Sequence, residues 1–364
     1  MQVPTPSARR VPVYALVALV ALLVAAPTAG AASFKGGTFK LDLKTLANAG
    51  KLKVKSDTLS VRDGTATLTR TSTGSFGING GVKLTKGSKT FAMTGLLEKL
   101  ASGKGSLTAT VNGKAVKLFD EQSTGKLTPA ADFTGLALKS SNLKLTKAGA
   151  AALNKAFPVK GKSGQKPKPA FKAGQSAGKV QFDGDRVLKL ASGNVPTIYD
   201  SGFYNTMTGC GIQLSAIAPA TEIPADPNTA PTGGVNLPVL GGTLTADTLS
   251  GGIDLDGGTR LNRPEGSPQG AAYQSDLTKY QIATNKTPPA LSARVSRLAN
   301  QVIPIGTVEG LALDKALTAD GGAITFAGTL ALSDLASQTL SGDTGCNIPA
   351  GTKIGTINGS AAVK

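Results

Sequence analysis

SFGINGGVKL, from Ser75 to Leu84, aligns residue for residue with GIDLDGGTRL, from Gly252 to Leu261. Three shorter strings repeat in the same order: LTATV at Leu107–Val111 with LSARV at Leu291–Val295, GLAL at Gly135–Leu138 with the same string at Gly310–Leu313, and Gly174 and Gly178 with Gly351 and Gly355. The matched strings stand about 180 residues apart, and a near-constant offset is the mark of an internal duplication. The chain therefore reads as two copies of one domain, at 33–190 and 195–364.

Each copy reads as mainly β. Phe76 and Ile78 alternate with small residues before Asn79-Gly80, and Val82 and Leu84 follow. Period-two alternation gives one buried and one wet strand face. Asn-Gly between such runs predicts a two-residue hairpin turn, with Asp256-Gly257 in the same place in copy two. Leu107, Ala109 and Val111 alternate up to a second Asn-Gly, Asn112-Gly113. One helix per copy is expected near its end: Thr146 can cap KAGAAALNKAF, with Ala150, Leu153 and Phe157 on one stripe, and Ser333 can cap DLASQTL. A shorter helix is expected near each start, at Leu43 to Ala49 and near Gly202 to Gly209. The fold class is thus mainly β: two tandem antiparallel, sandwich-like domains, each with one or two short helices. Pro158 to Lys172 reads as a Lys/Pro/Gly loop without core residues.

The chain has 364 residues and a formal net charge of +17. Its 46 Gly and 20 Pro stay below the share that marks a low-complexity chain, and 40% hydrophobic residues suffice for a core. Histidine is absent, which excludes Ser-His-Asp triads, Cys-His pairs, His-rich zinc motifs and His-ligated haem. With no Trp and five Tyr, aromatic stacking platforms are sparse. No Ser-x-x-Lys or Gly-x-Ser-x-Gly element stands in a supporting context, so no enzyme is expected.

Arg9 and Arg10, the apolar run Val11 to Ala26 and the small-residue stretch up to Ala31 read as a signal peptide over residues 1–31. The alternative is an uncleaved anchor, for which an apolar run of about 16 residues is short. No second apolar run follows, so the mature chain is expected outside the cell, secreted or wall-associated, with no transmembrane segment. In that setting Cys210 and Cys346 are expected as a disulfide, two free thiols being the alternative.

Charge divides unevenly. Residues 33–190 carry 28 Lys and Arg against 9 Asp and Glu, hence +19, whereas 191–364 carry 9 against 13, hence −4. The basic half is dominated by single lysines, among them Lys40, Lys44, Lys51, Lys53 and Lys83. Few Arg and aromatic residues argue against a nucleic-acid partner. An anionic cell-wall polymer or acidic headgroup is one reading of this surface, and a solvated, solubilising face is the other. Asp254 and Asp256 point the same way from one strand. Such a pair can bind Ca²⁺ or act as acid and base, while turn chemistry alone also accounts for Asp256.

GGVKLTKGSKTFAMTGLLEKLASGKGSLTATVNGKAVKLF (Gly80–Phe119), GLALKSSNLKLTKAGAAALNKAF (Gly135–Phe157) and FKAGQSAGKVQF (Phe171–Phe182) resemble the HtaA-like domain of actinobacterial secreted and cell-surface proteins. SDLTKYQIATNKTPPALSARV (Ser275–Val295) carries a looser resemblance in copy two. The resemblance implies a β-rich domain with small helices that captures haem at the surface, through a Tyr ligand supported by His, and catalyses nothing. This chain departs from it in having no His, and copy one has no Tyr beyond the signal segment. Copy two has Tyr199 and Tyr204 near its start, and Tyr273 and Tyr280 later. Tyr199 or Tyr204 lies closest to the family's ligand position, and a tyrosinate can hold ferric haem. The other reading is that these rings pack against the sheet with their hydroxyls hydrogen-bonded or exposed. The partner is then a small ligand, haem above all, or an anionic wall polymer held by the basic copy, which would make the chain a structural or adhesive wall protein.

Overall fold

The computed structural model describes residues 31–67, 73–101, 104–122, 127–159 and 169–364. The expected signal segment lies outside them except for Ala31, as do residues 160–168 of the Lys/Pro/Gly loop. Pairing is antiparallel throughout the described strands.

Copy one runs β1 (Ala32–Gly36), β2 (Thr38–Asp42), α1 (Lys44–Gly50), β3 (Lys53–Ser56), β4 (Ser60–Ala66), β5 (Gly74–Asn79), β6 (Val82–Lys86), β7 (Lys89–Ala101), β8 (Lys104–Val111), β9 (Lys114–Gln122), β10 (Leu127–Pro129), β11 (Gly135–Leu145), α2 (Lys147–Ala156) and β12 (Ser176–Tyr199). Copy two continues from β12 through α3 (Ser201–Gly209), β13 (Gln213–Ile217), β14 (Thr221–Ile223), β15 (Gly234–Thr245), β16 (Gly251–Leu255), β17 (Gly258–Arg263), β18 (Tyr273–Ala283), β19 (Ala290–Val295), β20 (Gln301–Thr318), β21 (Gly321–Leu332), α4 (Asp334–Thr344) and β22 (Lys353–Val363).

The duplication is visible in the ladders. β4–β5, β3–β6, β6–β7, β7–β8 and β11–β12 recur as β15–β16, β13–β17, β17–β18, β18–β19 and β21–β22. β12 is shared: its first half pairs with β2 and β11, its second with β15 and β22. One core gathers Phe34, Phe39, Phe76 and Phe182 with the leucines of copy one. The other gathers Val195, Met207, Ile253 and Phe326.

Local chemistry repeats too. Thr146 Oγ1 accepts from the Gly149 amide at 2.9 Å and donates to the Lys117 carbonyl at 2.6 Å. Ser333 Oγ accepts from the Ala336 amide at 3.2 Å and donates to the Pro304 carbonyl at 2.7 Å. Both capping expectations hold, because each hydroxyl satisfies an orphan amide of the first turn. The expected stripe Ala150, Leu153 and Phe157 is buried.

Three expectations are corrected. Asn79-Gly80 makes no hairpin: β5 and β6 both pair with β7, one after the other. Gly80, at φ +87°, bends one strand so that it continues along the same partner, and Gly257 (φ +75°) does the same between β16 and β17, which both pair with β18. The local dipeptide demands positive φ, but the long partner strand decides between bend and reversal. Asn112-Gly113, both at positive φ, does close the β8–β9 hairpin. The GLAL strings are not equivalent either: Gly135–Leu138 lies in β11, Gly310–Leu313 in β20. Finally, the Lys/Pro/Gly loop does carry a core residue. Phe171 is fully buried, its backbone bracketed by the Asn154 side chain at 2.8 and 3.0 Å.

Candidate functional site

β12 ends at Tyr199, and the next residue, Asp200, caps α3 by accepting from the amides of Gly202 (2.8 Å) and Phe203 (3.4 Å). The cap sets where the first turn of α3 begins, and that turn carries Tyr204 back over Tyr199. The rings stack with centroids 6.4 Å apart and planes at 21°. Tyr204 is half-buried. Burial pushes the Tyr199 phenol up to about 12, and the hydrogen bond with Thr259 offsets part of that rise. Thr259 also hydrogen-bonds the Tyr280 phenol, which is pushed up by burial as well. A buried phenol without a nearby cation keeps its proton, because the anion loses hydration.

Tyr199 borders a cavity of about 70 Å³, walled by Phe203 and by aliphatic residues such as Leu330 and Ile354, with Tyr199, Thr259 and Tyr280 as its polar edge. Drug-sized ligands occupy roughly 300–1,000 Å³, so this space admits a small apolar molecule only. Tyr199 connects the two features, since it lines the cavity and stacks on Tyr204. Among the described residues copy one has no such site. Gly178 closes on the Leu43 Cα as Gly355 closes on the Tyr199 Cα, both at 3.1–3.2 Å from a Cβ placed on the glycine. Leu43 therefore stands where Tyr199 stands.

The remaining singled-out residues fall elsewhere. Cys210 and Cys346 are joined, with Cα atoms 6.1 Å apart, linking the ends of α3 and α4. Arg263, which sequence reasoning passed over, is buried beside that link. It donates to the carbonyls of Cys210 (3.2 Å), Gln269 (3.0 Å), Ala271 (2.8 Å) and Thr344 (2.9 Å). A single Arg amid turn residues gives no sequence signal for this. Tyr273 is buried beneath the Arg297 guanidinium at 4.9 Å. Asp254 accepts from Gln281 Nε2 at 2.7 Å, and Asp256 accepts from the Gly257 amide at 2.9 Å. Turn and ladder bonds thus account for both carboxylates. Among the described residues no group of three or more His, Cys, Asp or Glu stands together as metal ligands, and no helix is long and apolar enough to cross a membrane.

No family model and no curated protein matches the chain. Among solved structures it is similar to the C-terminal domain of HtaA from Corynebacterium glutamicum, at 15% identity over 49% of this chain and 99% of that domain, with a TM-score of 0.34. It is also similar to the N-terminal domain of the same HtaA (14% identity, 48% and 98% covered, TM-score 0.33). A third is the haem-binding protein HtaB of that organism (12%, 48% and 94%, TM-score 0.32). Each spans about half of this chain, and at these scores none of them says what the chain binds.

Proposed function

We propose that this chain is a non-enzymatic, extracellular binding protein of two HtaA-like domains, at 33–190 and 195–364, and that its ligand site is in the second, at Tyr204 with Tyr199 behind it. The observation that carries this reading is the stacked tyrosine pair at the edge of an apolar cavity, present in one copy and replaced by Leu43 in the other.

The ligand class favoured is a flat apolar molecule with a Lewis-acidic centre, ferric haem being the case the donor set suits. The donor fits and the cavity does not: about 70 Å³ cannot take a porphyrin, so only a ligand held outside it, against Tyr204, has room. Tyr199, protonated up to about pH 12, serves as a stacking support. Tyr204 supplies the oxygen. When bound, the haem would contribute ferric iron as acceptor for a phenolate. Without His nothing plays the usual second-shell part that orients and tunes such a ligand, so affinity is modest.

Titration of ferric haem into the full chain, followed by absorbance, tests this. Saturable uptake that falls about tenfold or more in Tyr204→Phe and only slightly in Tyr199→Phe is expected. Equal uptake by the Tyr204→Phe variant, or none by the wild type, overturns the assignment.

A further inference from the structure

Domain one has a cationic groove beside β12, away from the tyrosines. The groove encloses about 540 Å³ and is lined by Ser33, Lys35, Arg62, Thr65, Ser75 and Lys189, with Asp63 as its acid. Ladder register sets Ser33 beside Thr65 and Thr65 beside Ser75. Three hydroxyl residues therefore form one row across β1, β4 and β5. Val187 follows on one flank and Lys99 on the other, opposite Ser75. Lys35, Arg62, Lys99 and Lys189 are all exposed around this row.

Two acids of this surface are paired. Asp63 pairs with Arg62 at 3.3 Å, and Asp120, farther along the same face, pairs with Lys117 at 2.6 Å. Gly77 leaves room for the Arg62 guanidinium, since a Cβ there would stand 2.6 Å from Nη2 and collide with Asp63 Oδ1. The guanidinium thus lies across the sheet over a glycine, held by Asp63 and presented to the groove.

We infer that this groove binds a linear, phosphate-bearing polyanion. From β12 to β7 the row crosses four interstrand gaps, about 19 Å at the usual strand spacing, which is longer than one phosphate and matches a run of them. Hydroxyls and a planar guanidinium donate to phosphate oxygens, and the lysines add unpaired positive charge. The one aromatic residue of the lining, Phe34, has its ring buried against Phe76 in the core and offers no face on which a nucleobase could stack, so the phosphate chain itself is what is recognised. The site is independent of the tyrosine pair and stands or falls without it.

The experiment is binding of a fluorescent inorganic polyphosphate chain to the full-length protein at low and at high salt, with orthophosphate as competitor. Lys35→Glu with Lys189→Glu is compared with Lys147→Glu plus Lys155→Glu, two exposed α2 lysines that change net charge equally. Expected are salt-sensitive binding, a loss of about tenfold or more in the groove variant, little loss in the helix variant and weak competition by orthophosphate. Equal loss in both variants would show diffuse charge attraction and overturn the site. Orthophosphate competing as well as the chain would overturn the linear ligand. A single-stranded oligonucleotide bound more tightly than polyphosphate would assign the groove to nucleic acid instead, and absence of polyphosphate binding would also refute the proposal. Retained polyphosphate binding in Tyr204→Phe separates this outcome from the fate of the haem reading.

Discussion

Glu98 and Glu121 are buried in the core of domain one, and no donor from elsewhere among the described residues reaches their four oxygens. The two carboxyls have only each other. Burial, then the hydrogen bond with Glu121, then its charge hold the Glu98 carboxyl well above its ordinary range. A buried carboxyl beside a second one ionises at high cost, so Glu98 holds its proton more tightly than a free carboxyl does. A folded-state value above the unfolded one means that the folded domain binds the extra proton. This contribution is fully present below the unfolded value and is lost as pH rises through the folded one. Domain one should therefore lose stability from mildly acid toward neutral and alkaline pH. Glu98→Gln should flatten that slope, as denaturant unfolding across pH would show. An unchanged slope in the variant would mean that Glu98 does not titrate as described. Gly105 belongs to the same arrangement, since a Cβ there would stand 2.6 Å from Glu121 Oε2.

At the scale of elements, the disulfide closes a loop between residues 136 apart and ties α3 to α4. In the chain-entropy description this is worth about 4–5 kcal/mol, and it falls on domain two alone. Reduction, or Cys346→Ser, should lower the unfolding midpoint of domain two and leave that of domain one in place. Equal shifts of both would show that the link supports more than its own domain. The helices of both domains were largely legible in the sequence, because a capping side chain and an apolar stripe are local signals: Thr146, Ser333 and the short helix before Cys210 all stand where those signals put them. The bend at Gly80 was not legible, since it depends on β7 running past both β5 and β6, and no local string encodes the length of a distant partner. The tyrosine pair was half legible. Scarcity left four tyrosines and the family resemblance pointed to Tyr199 or Tyr204, but the cavity depends on Thr259, Tyr280 and Leu330, which lie far along the chain.

For the whole molecule the deciding feature is β12, one strand that ends the first domain and begins the second. Arg186 sits fully buried near its middle. Its guanidinium donates to the Phe133 carbonyl of domain one at 3.3 Å and to the Thr318 and Gly321 carbonyls of domain two at 2.7 and 3.4 Å. Ala319, in the turn between those two residues, packs on the core of domain one. The domains are thus held by a shared strand and by a cation that bonds across the seam. Replacing Arg186 by Met leaves three carbonyls short of a donor and should cost about 2–3 kcal/mol. It should also widen the gap between the unfolding transitions of the two domains in calorimetry, and an unchanged spacing would show that the strand alone couples the halves.

The central functional claim concerns one oxygen of this molecule, that of Tyr204. Resonance Raman spectroscopy of the full chain loaded with ferric haem reads it most directly, because an iron-bound phenolate enhances its own ring modes. The expected result is a set of phenolate bands that persists in Tyr199→Phe and vanishes in Tyr204→Phe. Phenolate bands that survive in Tyr204→Phe, or a loaded wild-type chain without them, would contradict the site proposed here.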